Sequence, residues 1–154
     1  MEILGAVMSC RGIAVLGAGQ VDKQGNINST LIPKRLFLFG SGGANDIAST
    51  AEEVVVVLRH SPLRMLEKVP YITANAKKVT TVVTAKGVFE KINNELVLTG
   101  YIPQKGKSRE QIIDEIKSTT GREIKVADEV REEEIPLDKL MMLRSFDPDR
   151  CFLD

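Results

Sequence analysis

Tryptophan is absent from these 154 residues, and aromatic side chains make up only 5% of them, so aliphatic groups must fill any core. Net charge is missing too. The 21 basic residues balance 21 acidic ones, which argues against a nucleic-acid partner, because such partners require a basic face. His60 is the single histidine, and Cys10 and Cys151 stand at opposite ends of the chain. That supply matches no metal-ligand spacing, and two distant cysteines read most simply as a reduced, cytosolic pair. With no serine or cysteine recognisable by spacing as a partner for His60, a nucleophilic triad cannot be argued, and a histidine closing a strand reads as structural. No apolar run approaches the roughly 18 residues of a membrane span. The start, Met1 to Gly12, lacks a basic leader region and reaches Arg11 too early for a secretory signal. The expectation is a cytoplasmic protein with no membrane and no nucleic acid among its partners.

What is present is ordinary for a globular protein: 43% hydrophobic and 27% charged residues. The length suggests one domain over residues 1–154, which can bury about 68–70% of its unfolded surface without disulfide or metal staples. Ile3, Leu4, Val7 and Met8 recur at helical spacing, predicting a short helix over 2–10 that Gly12 ends. Ile13 to Leu16 reads as a buried strand. Residues 20–30 hold the turn formers Asp22, Gly25 and Asn26 and read as a loop. Lys34 to Phe39 and Val54 to Leu58 are short apolar runs suited to strands covered on both faces, with a short helix, Ala44 to Ala51, between them. Arg64 to Val69 reads as a helical turn between Pro62 and Pro70. Val79 to Thr84 is rich in β-branched residues and predicts a strand. Val88 to Ile92 and Glu95 to Tyr101 flank Asn93-Asn94, a two-residue hairpin signal because asparagine tolerates positive φ. Ser108 and Gln111 form a capping box for a helix carrying Ile112, Ile113 and Ile116, closed by Gly121. Lys125 to Ala127 predicts a last strand, and Pro136 opens a helix with Leu137, Leu140, Met141 and Leu143. The fold class is therefore α/β, an open mixed or mostly parallel sheet flanked by helices, with a hairpin and helices in its later part.

The segment Gly40-Ser41-Gly42-Gly43-Ala44-Asn45-Asp46 lies between two strands and opens a helix. Glycines there let backbone N–H groups approach a ligand with no Cβ in the way, a construction suited to an oxyanion, a carbonyl oxygen or a phosphate. The alternative is a tight turn in which glycine only relieves crowding. Neither glycine run is a dinucleotide fingerprint, since Asp22 and Asn45 occupy the third glycine position of that pattern. The carboxylates read as solvated: Glu132 to Glu134 form a charge run, and Glu110, Asp114 and Glu115 sit on the polar side of a helix. No carboxylate stands out as a nucleophile. Lys34, Arg35, Arg59, Arg64, Lys77 and Lys78 are the cations that could meet a phosphate near the glycine loop.

Gly17-Ala18-Gly19-Gln20-Val21-Asp22 with Gly25-Asn26-Ile27-Asn28, then Gly40 to Asp46, then Glu53 to Val57, resembles the β subunit of family I CoA-transferases of the glutaconate and 3-oxoacid type. His60, Leu66-Glu67-Lys68, Tyr71-Ile72-Thr73, Ala85 to Phe89, Thr119-Thr120-Gly121 and Leu143 to Pro148 follow the family's order. The resemblance implies a subunit that transfers CoA between acyl groups, with a coenzyme A thioester as substrate and no covalently bound cofactor. It implies an α-like subunit or a homo-oligomer as partner. Gly42, Gly43, Ala44 and Asn45 would line the substrate's oxyanion site, and Gln20, Asn26 and Asn28 would shape the pocket. In the family an active-site glutamate attacks the acyl-CoA carbonyl from a segment preceding the Gly-Ala-x-Gln-Val-Asp stretch. That stretch begins here at Gly17, so the resemblance implies an N-terminally truncated domain without the nucleophile. The alternative it leaves is a remnant that binds CoA, an acyl-CoA or a partner without turnover.

Overall fold

Val54 and Val56 are wholly buried, and the strand that carries them lies inside the sheet around which the chain is organised. The computed structural model describes residues 12–150; the helix expected over 2–10 lies outside the described residues. The strands are β1 (Ile13–Gly17), β2 (Gln20–Val21), β3 (Ile27–Asn28), β4 (Leu31–Ile32), β5 (Leu36–Phe37), β6 (Glu53–Val57), β7 (Val79–Val83), β8 (Gly87–Ile92), β9 (Glu95–Tyr101) and β10 (Lys125–Glu132). The described helices are α1 (Ala44–Thr50), α2 (Arg109–Ser118) and α3 (Leu137–Ser145), with a 3-10 turn at Ala76–Lys78. Six strands form one sheet in the order β1-β6-β7-β8-β9-β10. Pairing is parallel from β1 through β6 to β7, antiparallel through the β7–β8–β9 meander, and parallel again between β9 and β10. The expected mixed α/β sheet is what the residues form.

Local signals explain the meander and α2. Asn93 and Asn94 both adopt positive φ, 51° and 63°, as a two-residue turn with the strands' own twist requires. Ser108 caps α2, accepting from the Gln111 amide, while the Gln111 side chain accepts from the Ser108 N–H at 2.9 Å. Ile112, Ile113 and Ile116 then bury one side of the helix in the core with Phe89 and Leu98.

Five expectations need correction. β1 is an edge strand rather than a buried one, with Ile13 and Val15 each 68% exposed, because no described element covers that face. Lys34 to Phe39 is not a strand covered on both faces. Lys34 takes φ 61° and turns the chain, leaving β4 and β5 as a small, exposed hairpin. The stretch at 20–30 is not a loop but a buried hairpin of β2 and β3, held by long-range bonds from Val21 N to Arg64 O at 2.7 Å and from Ile27 N to Ala74 O at 2.9 Å. The turn expected at Arg64 to Val69 falls earlier, where Arg64 N and Met65 N both donate to Ser61 O. Gly121 does not close α2, which ends on Thr119. It permits a close approach instead: an added Cβ would fall inside the van der Waals shell of the Pro62 carbonyl oxygen and 2.8 Å from Met65 O. α3 forms where Pro136 begins it, but Leu137, Met141, Met142 and Leu143 all remain exposed.

Candidate functional site

Because β1, β6 and β7 run parallel, their carboxyl ends share one side of the sheet, and in open α/β sheets that side is where ligands bind. Gly17 at the end of β1, Val57, Leu58 and Arg59 at the end of β6, and Ala85 after β7 line one side of a cavity of about 1020 Å³. Phe39 to Gly42 and Ala44 complete it with Ala18, Gly19, Ser29 and Arg64. The volume stands at the upper end of the range for small-molecule sites, roughly 300–1,000 Å³.

Backbone geometry requires the glycines of this loop. Gly40 takes φ 94° and Gly42 φ 49°, a region that side chains with a Cβ rarely occupy. The loop is fixed at its start by Phe39 N and Gly40 N, which both donate to Ser29 O at 3.0 Å. Ala44 N donates to Ser41 O at 3.0 Å. The Gly42 and Gly43 N–H groups have no internal acceptor among the described residues, and Gly43 caps α1 without a side-chain bond. Gly42 and Ala44 therefore lie on the cavity wall; Gly43 and Asn45 adjoin them without lining it.

The polar residues Gln20, Asn26 and Asn28 sit behind that wall. Asn28 is wholly buried and donates from Nδ2 to Gln20 Oε1 and to Leu31 O, both at 2.9 Å. Gln20 in turn donates to Leu63 O at 2.9 Å and lines a smaller cleft of about 470 Å³ on the far side of Gly19 and Arg64. Asn26 joins Asp22 to the 3-10 turn, donating to both Asp22 carboxylate oxygens and accepting from Ala76 N at 2.9 Å. None of the three lines the main cavity; the Asn28 backbone carbonyl packs on Gly19, where an added Cβ would come within 2.9 Å of its oxygen.

The coenzyme A transferase family model matches residues 8–114, which is more than half of the chain and includes every cavity-lining residue. This chain belongs to the coenzyme A transferase family. It is 31% identical over 157 residues to a 3-oxoadipate CoA-transferase subunit of Pseudomonas knackmussii, covering 88% of this chain. The glutaconate coenzyme A-transferase of Acidaminococcus fermentans superposes with a TM-score of 0.76 at 26% identity over 92% of this chain. The decarboxylase AibA/AibB C56V variant shares the fold, with a TM-score of 0.75 at 23% identity over 90% of this chain. The chain spans 58% of the length of the first of these, 61% of the second and 58% of the third.

In this family member the described residues of the cavity lining include no aspartate, glutamate, cysteine, histidine or lysine. Among the described residues no cluster of His, Cys, Asp or Glu could hold a metal, and no helix is long and apolar enough to cross a membrane. Among the described lining residues Ser29 and Ser41 supply the hydroxyls and Arg59 and Arg64 the charges, groups that can bind and polarise a ligand. Ser29, Phe39, Leu58 and Ala85 carry no signal in the sequence that marks them as lining; sheet pairing alone assembles them.

His60, one residue beyond Arg59, faces away from this chemistry. Its Nδ1 lies 3.2 Å from Thr84 Oγ1 and its Nε2 lies 3.2 Å from Thr120 Oγ1, with the ring stacked on Phe89. It ties the ends of β6 and β7 to the end of α2. Burial, with Lys86 nearby, holds its pKa below the ordinary 6.5. The unfolded chain therefore takes up a proton that the native ring resists, and this part of the stability is lost as pH falls below about 6.5. His60→Gln is expected to flatten the decline of the thermal midpoint between about pH 7 and 5, as read by circular dichroism. An unchanged slope would show that His60 does not contribute.

Proposed function

We propose that this chain is the β-like component of an enzyme that moves coenzyme A between acyl groups, with an acyl-CoA and a carboxylate as substrates. One observation carries the reading: a cavity outside the carboxyl ends of parallel strands, walled by a positive-φ glycine loop whose Gly42 and Gly43 amides have no internal acceptor among the described residues. The Gly42 amide, on the cavity wall, receives the thioester oxygen as negative charge develops on it, with Gly43, Ala44 and Asn45 shaping the loop beside it. A preorganised donor of this kind is worth about 2.7–4 kcal/mol in acyl transfer. Gln20, Asn26 and Asn28 act by holding the wall rigid. The nucleophile comes from another segment or an α-like subunit, since the described lining residues include no carboxylate. The apolar face of β1, which no described element covers, and the exposed residues of α3 support such a partner, because parallel sheets are stable with both faces covered.

Titration calorimetry of the full chain with acetyl-CoA tests the reading. Gly17 lines the cavity and an added Cβ there meets no atom within 4 Å. Gly17→Leu is expected to lower acetyl-CoA affinity at least about tenfold, equivalent to about 1.4 kcal/mol, while the urea midpoint stays put. Absence of heat with the unaltered chain would defeat the reading. Binding without any transfer once an α-like subunit is supplied would favour the non-catalytic remnant, a reading that the want of a carboxylate among the described lining residues also supports.

A further inference from the structure

Ser29, the residue after β3, is buried, and its carbonyl, hydroxyl and N–H each hold a different segment of the chain. The carbonyl accepts from Phe39 N and Gly40 N, both at 3.0 Å, where the glycine loop starts. Oγ accepts from Gly19 N at 3.4 Å, just beyond the end of β1. The N–H donates to Thr73 Oγ1 at 2.9 Å, 44 residues along the chain. Thr73 stands outside the described lining of the cavity, yet it grips the same segment twice more. Thr73 N donates to Ile27 O at 2.8 Å, and the Thr73 and Thr30 hydroxyl oxygens lie 2.8 Å apart. Thr30 O accepts in turn from Leu38 N at 2.8 Å. The chain entering the glycine loop is thus hung on the carbonyls of Ser29 and Thr30, two residues that Thr73 secures. The β4–β5 hairpin cannot do this work, because its strands have two residues each, Leu36 and Phe37 are exposed, and a lone two-stranded hairpin is marginal in water.

We propose that Thr73 is a positioning residue for the glycine loop: by fixing Ser29 it sets the Phe39–Gly42 wall against the Gly19 wall, and so the place of the Gly42 amide. The identity of the ligand rests on the acyl-CoA reading of the cavity; the mechanical link does not. Ser29 N is buried, and a buried N–H without an acceptor is costly. Without the Thr73 hydroxyl, Ser29 must shift to find another acceptor, and both walls that it joins shift with it.

Thr73→Val keeps the shape of the side chain and removes the acceptor, whereas Thr73→Ser keeps the acceptor. Amide exchange of the full chain, read by NMR, is expected to show Phe39 and Gly40 exchanging about tenfold faster in Thr73→Val. Calorimetric titration with acetyl-CoA is expected to show affinity about tenfold lower in Thr73→Val and within about twofold of the unaltered chain in Thr73→Ser. A residue that only stabilised the fold would lower the urea midpoint while the folded chain kept its affinity, and that result would overturn the proposal. Unchanged exchange at Phe39 and Gly40, with only the β8–β9 ribbon accelerated, would overturn it too, because the loop would then open independently of Thr73. If Thr73→Val does not fold, the unaltered chain decides: Ser29, Phe39 and Gly40 are expected to share one opening free energy, and separate openings would end the proposal. Absence of heat with acetyl-CoA in the unaltered chain, beside faster exchange at Phe39 and Gly40 in Thr73→Val, would leave the loop anchor standing and remove the acyl-CoA reading.

Discussion

Gly121→Ala is expected to lower stability by about 3 kcal/mol, the top of the range for overpacking, read as a drop in the urea midpoint at unchanged m-value. Gly121 has no unusual φ to relieve, so the cost is purely steric. Its neighbours are the Pro62 carbonyl carbon at 2.9 Å and Met65 O at 2.8 Å from an added Cβ, and these are backbone atoms that no rotamer can move aside. The bridge between Leu66 and Gly121 holds the two segments in that register. Gly12→Ala is the control, because an added Cβ there meets nothing within 4 Å; its stability should change by less than about 0.5 kcal/mol. If the two variants melted together, the close packing of Gly121 would be refuted.

Asp22→Ala is the second large effect. The carboxylate is 1% exposed and accepts from Gln24 N at 3.1 Å, from Asn26 N at 2.9 Å and from Asn26 Nδ2. Alanine would leave these donors without acceptors at a turn where Gly25 takes φ 96°. Each orphaned buried donor costs about 1–3 kcal/mol, less where water reaches it, giving about 3 kcal/mol for the set. Asp22→Asn retains one carboxamide oxygen as acceptor and should cost only about 1 kcal/mol. Thermal denaturation of the two variants decides: equal losses would mean that the hydrogen bonds to the side-chain oxygens do not hold the turn.

The same turn shows where sequence reading stops. Val54 to Val57, the Asn93-Asn94 turn and the Ser108–Gln111 capping box are legible because the residues that decide them are local. Asp22, Gly25 and Asn26 are equally strong turn formers, yet their segment is buried, since Val21, Asn26 and Ile27 bond to Arg64, Ala76 and Ala74 far along the chain. No local pattern announces such partners. The exposure of β1 is illegible for the same reason: its apolar run says that the strand wants covering, not that a described element covers it. At the cavity, the glycine run points to the wall on which Gly42 and Ala44 lie. The opposite wall is assembled from Gly17, Leu58 and Ala85 only through strand order, and Arg59 and Arg64 are two of six cations until they are seen on the cavity wall. Family resemblance supplies what local pattern does not, because an ordered set of weak motifs encodes long-range pairing implicitly.

The mixed strand directions also bear on how the molecule assembles. β8 and β9 meet across a two-residue turn, so this ribbon can zip up on the scale of about 1–10 μs. β1 finds β6 only after the chain has passed through both small hairpins and α1, and that encounter bears a much larger closure entropy. The end of the sheet that bears the cavity is therefore expected to form late. Amide exchange is expected to show it opening before the β8–β9 ribbon, so that access to the cavity would follow the least cooperative corner of the sheet.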